Sequence, residues 1–202
     1  MPGTPLRLVV GLGNPGPTYD RTRHNAGFDF VEELARRAGT GFKRESRHQG
    51  EVARARLAGQ ELWLLKPMTY MNLSGGPVQS LAGFHKIGSE TILVAHDELD
   101  LPPGVARLKQ GGGAGGHNGL RDVMARLGEN FWRLRIGIGH PGDRSTVLDY
   151  VLGRPPQAEA GLIRAAMSAA ADVIPIMLLE GAEKAMNRLH RRSNAEPPAR
   201  PA

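Results

Sequence analysis

Short apolar runs that stop at glycine set the tightest limit on how this chain can fold. Leu8-Val9-Val10 runs directly into Gly11 and Gly13, the pattern of a buried strand ending in a sharp turn. The 27 glycines and 15 prolines gather at the ends of such runs and form no low-complexity tract, which predicts tight loops over a rigid scaffold. Loops of that kind often carry functional sites.

The remaining segments alternate in the same way. Residues 7–13 read as a strand and residues 27–38 as an amphipathic helix with Phe28, Val31, Leu34 and Ala35 on one face, stopped by Gly39. Residues 51–57 and 61–66 read as paired strands around Gly59-Gln60, and Ser74 is placed to cap a helix carrying Val78, Leu81 and Phe84. A strand at 91–95, an acidic loop, a strand at 105–109, a glycine loop at 111–116, a helix at 118–127 and a strand at 133–138 follow. This alternation predicts an α/β fold with one mixed sheet covered by helices. The last third reads as helix over 156–179, with Leu162, Ala166, Ala169 and Val173 at helical spacing and Pro175 expected to kink or break it, then as a short helix over 182–191.

A length of 202 residues favours a single domain, expected over residues 1–192. Residues 193–202, with Pro197, Pro198 and Pro201 and no large apolar side chain, read as a tail unable to order itself. No apolar stretch is expected to reach the roughly 18–20 residues of a membrane helix, and residues 1–5 lack a signal-peptide core, so the reading is a cytoplasmic protein without a membrane partner. Cysteine is absent, which removes disulfides, Cys-based zinc sites and thiol nucleophiles together. The formal charge of +6 points toward a polyanionic partner, since a basic surface gains affinity by releasing counterions from nucleic acid.

Gly11-Leu12-Gly13-Asn14-Pro15-Gly16 matches the dinucleotide pattern G-x-G-x-x-G after a strand, but Pro17-Thr18-Tyr19 and a further polar stretch delay the helix that would have to hold a pyrophosphate. Gly111-Gly112-Gly113-Ala114-Gly115-Gly116-His117-Asn118 could cradle phosphates through backbone N–H groups, though it lacks the Lys-Ser/Thr ending of a P-loop; Asn118 as a plain helix cap is the competing reading. His24, His96 and His117 show no metal-ligand spacing, and no G-x-S-x-G segment occurs for a serine nucleophile. Any hydrolysis would therefore use activated water. That chemistry needs a base titrating near neutrality, a carboxylate to orient it and neutral donors for the oxyanion, which His, Asp and Asn side chains supply.

Taken together, Val10 to Gly16, Thr22-Arg23-His24-Asn25-Ala26-Gly27, Lys66-Pro67 with Met71-Asn72-Leu73-Ser74-Gly75, His96 to Pro102, Gly115 to Leu120 and Arg135 to Gly142 resemble, in collinear order, the bacterial peptidyl-tRNA hydrolases. The resemblance runs from about Leu8 to Pro155. It implies a monomer with a twisted mixed sheet surrounded by helices, needing no cofactor and no metal. The activity it implies is hydrolysis of the ester joining a peptide or N-acylated amino acid to the 3′ end of tRNA, which recycles tRNA from stalled or abortive translation. His24 then corresponds to the general base and Asp97 to the carboxylate that orients it. Asn14, Asn72 and Asn118 correspond to polar groups around the scissile ester and peptide backbone, and Tyr19 and Met71 to walls of that cleft. Lys109 and Arg135 match positions that grip tRNA phosphate, with Arg107, Arg133 and Arg144 close in sequence. A rival reading remains, because relatives of the same fold bind RNA without hydrolysing it.

Overall fold

The structure, a computed structural model, describes residues 5–195. Seven strands form one mixed sheet: β1 (Leu8–Gly11), β2 (Lys43–Glu45), β3 (Gly50–Leu57), β4 (Gln60–Pro67), β5 (Ile92–Glu98), β6 (Ala106–Gln110) and β7 (Trp132–Gly137), in the order β2-β3-β4-β1-β5-β7-β6. The central strands β4, β1, β5 and β7 run parallel, while β2–β3, β3–β4 and β6–β7 pair antiparallel. The mixed α/β sheet expected from the sequence is therefore present.

Along β1, Val9 packs to one face, while Leu8 and Val10 pack to the other, and β5 splits in the same way between Leu93 and Ala95 on one side and Ile92 and Val94 on the opposite side. Burial on both faces is why these strands read as unbroken apolar runs. Helix α1 (Ala26–Arg37) shares the first face with α5 (Gln157–Glu180) and α6 (Ala182–Ala195); α2 (Gly75–Phe84) and α3 (Asn118–Leu127) cover the second, and α4 (Val147–Leu152) lies against the turn before α1.

Several expectations are corrected. Strand β5 runs three residues past Ala95, so His96 and Asp97 stand in sheet register, paired with Arg135 and Ile136 of β7, and not in a loop. Pro175 does not break α5, because Val173, Ile174, Met177 and Leu178 on either side of it are buried and hold the helix against the core. By length and composition α5 is apolar enough to cross a membrane, contrary to expectation, yet half of that stretch is buried and it packs on β6, β7 and α1 as a core helix. Phe84 is 57% exposed and off the buried face of α2. Ser74 does not cap α2 through its side chain; its Oγ donates to Met71 O at 2.7 Å.

Helix α6 extends through Ala195, three residues into the segment read as tail; residues 196–202 lie outside the described residues. Its side chains close the β6 edge. Leu108 N–H donates to His190 Nε2 at 3.1 Å, Ser193 Oγ donates to Ala106 O at 3.1 Å, and Arg107 donates to Asn194 Oδ1 at 3.2 Å. These contacts give the outward-facing groups of an edge strand the partners that a neighbouring strand would otherwise supply.

Candidate active site

The buried run of β5 delivers Asp97 to the carboxyl end of the sheet, where it is 4% exposed. His24 reaches it from the single turn Arg23–Asn25 that leads into α1. That turn sits where it does because α1 enters the sheet through direct backbone contact. A Cβ on Gly27 would lie 2.3 Å from Ala95 O and 2.4 Å from Leu12 N, and one on Gly11 would lie 2.1 Å from Gly27 O. Only a pair of glycines permits that approach.

Asp97 is shared by two imidazoles. His24 Nδ1 stands 2.9 and 3.0 Å from its two carboxylate oxygens, and His117 Nε2 stands 2.9 Å from Oδ1. A carboxylate only accepts, so both nitrogens carry their protons. For His117 this leaves Nδ1 as an acceptor, and it caps α3 by accepting from Leu120 N–H at 3.3 Å. For His24 it leaves the Nε2 lone pair free, on a side chain 13% exposed. The sequence thus hid a second ligand of the carboxylate: His117, not Asn118, is the cap.

Burial alone would raise the Asp97 carboxyl, but His24 and His117 hold it well below the usual carboxylate range. For His24, burial opposes protonation and the Asp97 carboxylate favours it more strongly, so its pKa lies above 6.5. His96 is neutral: burial, then His117, brings it down to about 4, while its Nδ1–H donates to Asp97 O at 2.8 Å. His24 Nδ1, His117 Nε2 and an Asp97 oxygen lie within 4.8 Å of one another, so these three could approach one divalent ion. Doing so would require them to give up both hydrogen bonds.

Asn14 is 6% exposed and largely committed. Its Oδ1 accepts from Met71 N–H at 2.8 Å, its N–H donates to Asn25 Oδ1 at 2.9 Å, and its carbonyl accepts from Asn25 Nδ2 at 3.0 Å. Asn14 and Asn25 together lock the first glycine loop to the His24 turn and to the single turn Met71–Leu73. Met71 is buried; a Cβ on Gly119 would lie 2.6 Å from its Sδ and 3.1 Å from His117 Cε1. Asn72 and Asn118, both exposed, therefore follow residues that meet across Gly119. Tyr19 is half-buried in the turn Pro17–Tyr19, and its carbonyl accepts from Thr22 N–H and Oγ1 at 3.1 and 2.8 Å. Gly13 packs on the Phe28 ring, and no α-helix follows Gly16, so the first glycine loop has neither the space nor the helix end for a dinucleotide.

Lys109 and Arg135 line one cavity of about 250 Å³ together with His96, Glu98 and the glycine loop. Arg135 donates to Glu98 at 2.8 Å, whereas Lys109 is exposed with no carboxylate partner among the described residues. Arg133, expected on a basic surface, is buried instead: its guanidinium donates to Gly112 O and Gly113 O and lies 4.7 Å from the Phe131 ring centroid. It clamps the glycine loop.

A family model described as peptidyl-tRNA hydrolase matches residues 8–197. The chain belongs to the peptidyl-tRNA hydrolase family. The peptidyl-tRNA hydrolases of Edwardsiella ictaluri and Histophilus somni are 56% and 54% identical to it over 187 residues, 92% of this chain and 95% and 96% of theirs. A crystal structure of peptidyl-tRNA hydrolase from Acinetobacter baumannii superposes with a TM-score of 0.88 at 50% identity, covering 91% of this chain and 94% of that one. As a peptidyl-tRNA hydrolase family member the chain is a hydrolase, and the roles that its sequence left unassigned are those of His117, Asn25 and Arg133. His117 stands beside Asn118 in the second glycine motif, and nothing in its spacing ties it to Asp97, twenty residues away.

Proposed function

We propose that this chain hydrolyses the ester between a peptide, or N-acylated amino acid, and the 3′ end of tRNA, with His24 as general base. The observation that carries the reading is the Asp97 carboxylate held by two imidazoles, of which only His24 is left with a free ring nitrogen on the accessible side. His24 Nε2 takes a proton from water as the oxygen attacks the ester carbonyl carbon. Amide N–H groups at Asn14, Asn72 and Asn118 serve the oxyanion and the neighbouring peptide groups without adding a charge. Collapse of the tetrahedral intermediate breaks the bond to the ribose oxygen, which takes the proton back from His24. Asp97 stays ionised throughout, and Tyr19 and Met71 wall the cleft. No cofactor or metal enters this scheme, and the enzyme acts as a monomer in the cytoplasm. Release of deacylated tRNA from an N-acetylated aminoacyl-tRNA, with free aminoacyl-tRNA left intact, tests the proposal; tight tRNA binding without release would favour the non-hydrolytic reading.

The acid limb of the rate profile follows from the His24 environment. The base must be neutral to act, and its pKa is raised above 6.5, so kcat/KM should rise with pH through a midpoint above 6.5. Asp97, held below its ordinary range, contributes no inflection near neutrality. A midpoint clearly below 6.5 would remove His24 from the role of base.

Lys109 and Arg135 grip tRNA phosphate in this reading, and they carry it unequally. Arg135 is already neutralised by Glu98, so Lys109→Ala should raise KM for peptidyl-tRNA and flatten its salt dependence more than Arg135→Ala does. A minimal ester lacking the tRNA body should be cleaved alike by both variants and the parent. Equal losses on both substrates would place these residues in the chemistry or the fold.

A further inference from the structure

On the far side of the turn that carries His24, a second cavity of about 700 Å³ opens between α1, the segment around Arg154 and α5. Its size is that of a small organic ligand. Arg23 and His24 leave the same turn, Arg23 lining this cavity and His24 reaching Asp97. The Arg23 side chain is 9% exposed; Nη1 donates to Tyr150 O at 3.1 Å and Nη2 to Glu159 at 3.2 Å, but its Nε is enclosed with no acceptor. Buried donors without partners are uncommon in folded proteins.

The charges around the cavity are unbalanced. Arg21 and Arg164 are exposed on its rim with no carboxylate partner among the described residues, and Arg154 uses only Nε, to Asp20 O at 3.0 Å. Of the acids that line it, Glu33 is taken by Arg36 and Arg37 at 2.8 and 2.6 Å, which leaves Asp29. Burial first, then the neighbouring Glu32, raises Asp29 to about 6. One side of the wall is apolar, where Ala160 and the buried Ile163 and Met167 line it.

We propose that this cavity binds an amphipathic organic anion, with a phosphate or carboxylate head held by Arg21 and Arg164 and an apolar body laid along Ile163 and Met167. Charge-assisted hydrogen bonds from guanidinium groups give the head its affinity, and the apolar wall excludes small inorganic ions as preferred occupants. The proposal does not depend on the hydrolase reading, because its measurement is binding alone.

Calorimetry on the full chain with hexyl phosphate, octanoate, inorganic phosphate and hexanol tests it, the first two arms distinguishing a phosphate from a carboxylate head. At least one amphiphile should bind at a single saturable site, with inorganic phosphate and hexanol each weaker by about tenfold or more. Arg21→Ala combined with Arg164→Ala should weaken the amphiphile by about tenfold, and Asp29→Asn, which removes the opposing carboxylate, should tighten it. Lys109→Ala should leave its binding unchanged. No saturable binding by either amphiphile, equal binding of hexanol, or loss of binding in Lys109→Ala would overturn the proposal. Should the double variant fail to fold, an Asp29→Asn affinity equal to or weaker than the parent's would overturn it alone.

Discussion

His24→Ala is expected to lose about 10³-fold in turnover of N-acetylated aminoacyl-tRNA, within the range that a positioned general base contributes. Its stability should stay within about 1 kcal/mol of the parent's, because Asp97 keeps His117 as a partner and no buried charge is left alone. The pH profile of the residual rate should also lose its inflection. Turnover by stopped quench, with urea melts on the same samples, checks both halves. A variant retaining more than about a tenth of parental turnover would assign the base elsewhere. Asp97→Ala, in contrast, strips the acceptor from both imidazoles at once and should lower stability as well as rate.

Gly27→Ala should be among the most damaging single methyls in the molecule. The added carbon would sit 2.3 Å from Ala95 O, 2.4 Å from Leu12 N and 2.6 Å from Leu12 O, all backbone atoms that no rotamer change can move. Helix α1 would have to lift off the sheet, carrying the His24 turn away from Asp97. The expected cost is about 3 kcal/mol or more, with turnover of the folded fraction reduced as well. Denaturant melts and an activity assay normalised to folded protein separate the two effects. A variant as stable and active as the parent would mean that the backbone contact does not position the base. Ala38→Gly, at the other end of the same helix, is the control.

Local pattern made the sheet legible, and long-range contact made the site. The Leu8-Val9-Val10 run, the turn at Gly59 and the bounds of α3 can be read from neighbours in sequence, and they match. The end of β5 cannot: His96, Asp97 and Glu98 are polar, and only pairing with β7 keeps them in the strand. Pro175 forbids a helix by its own chemistry, and burial around it overrides that preference. The His24–Asp97 pair spans 73 residues, and its proximity was expected from resemblance, not from spacing. That the Asn14 oxygen secures the Met71 backbone, 57 residues away, is likewise invisible in local pattern. Arg133 shows the same limit from the other side, since a charge read as surface is spent inside, on two glycine carbonyls.

The seal that α6 places along β6 has a consequence for how the molecule behaves in a crowd. The opposite edge, β2, is three exposed residues long and two of them are basic, which discourages pairing with another chain. The β6 edge carries Arg107 and Lys109 as well, and its Leu108 N–H and Ala106 O are covered by His190 and Ser193. Burial, then Arg107, keeps His190 below its ordinary pKa of 6.5, so its contribution is whole above that value and fades as the medium acidifies and Nε2 gains a proton it cannot share with Leu108 N–H. Loss of the chain beyond Leu189 would uncover Leu108 N–H and Ala106 O for pairing with another strand. Self-association through that edge, growing with protein concentration, is the failure mode that this architecture keeps closed.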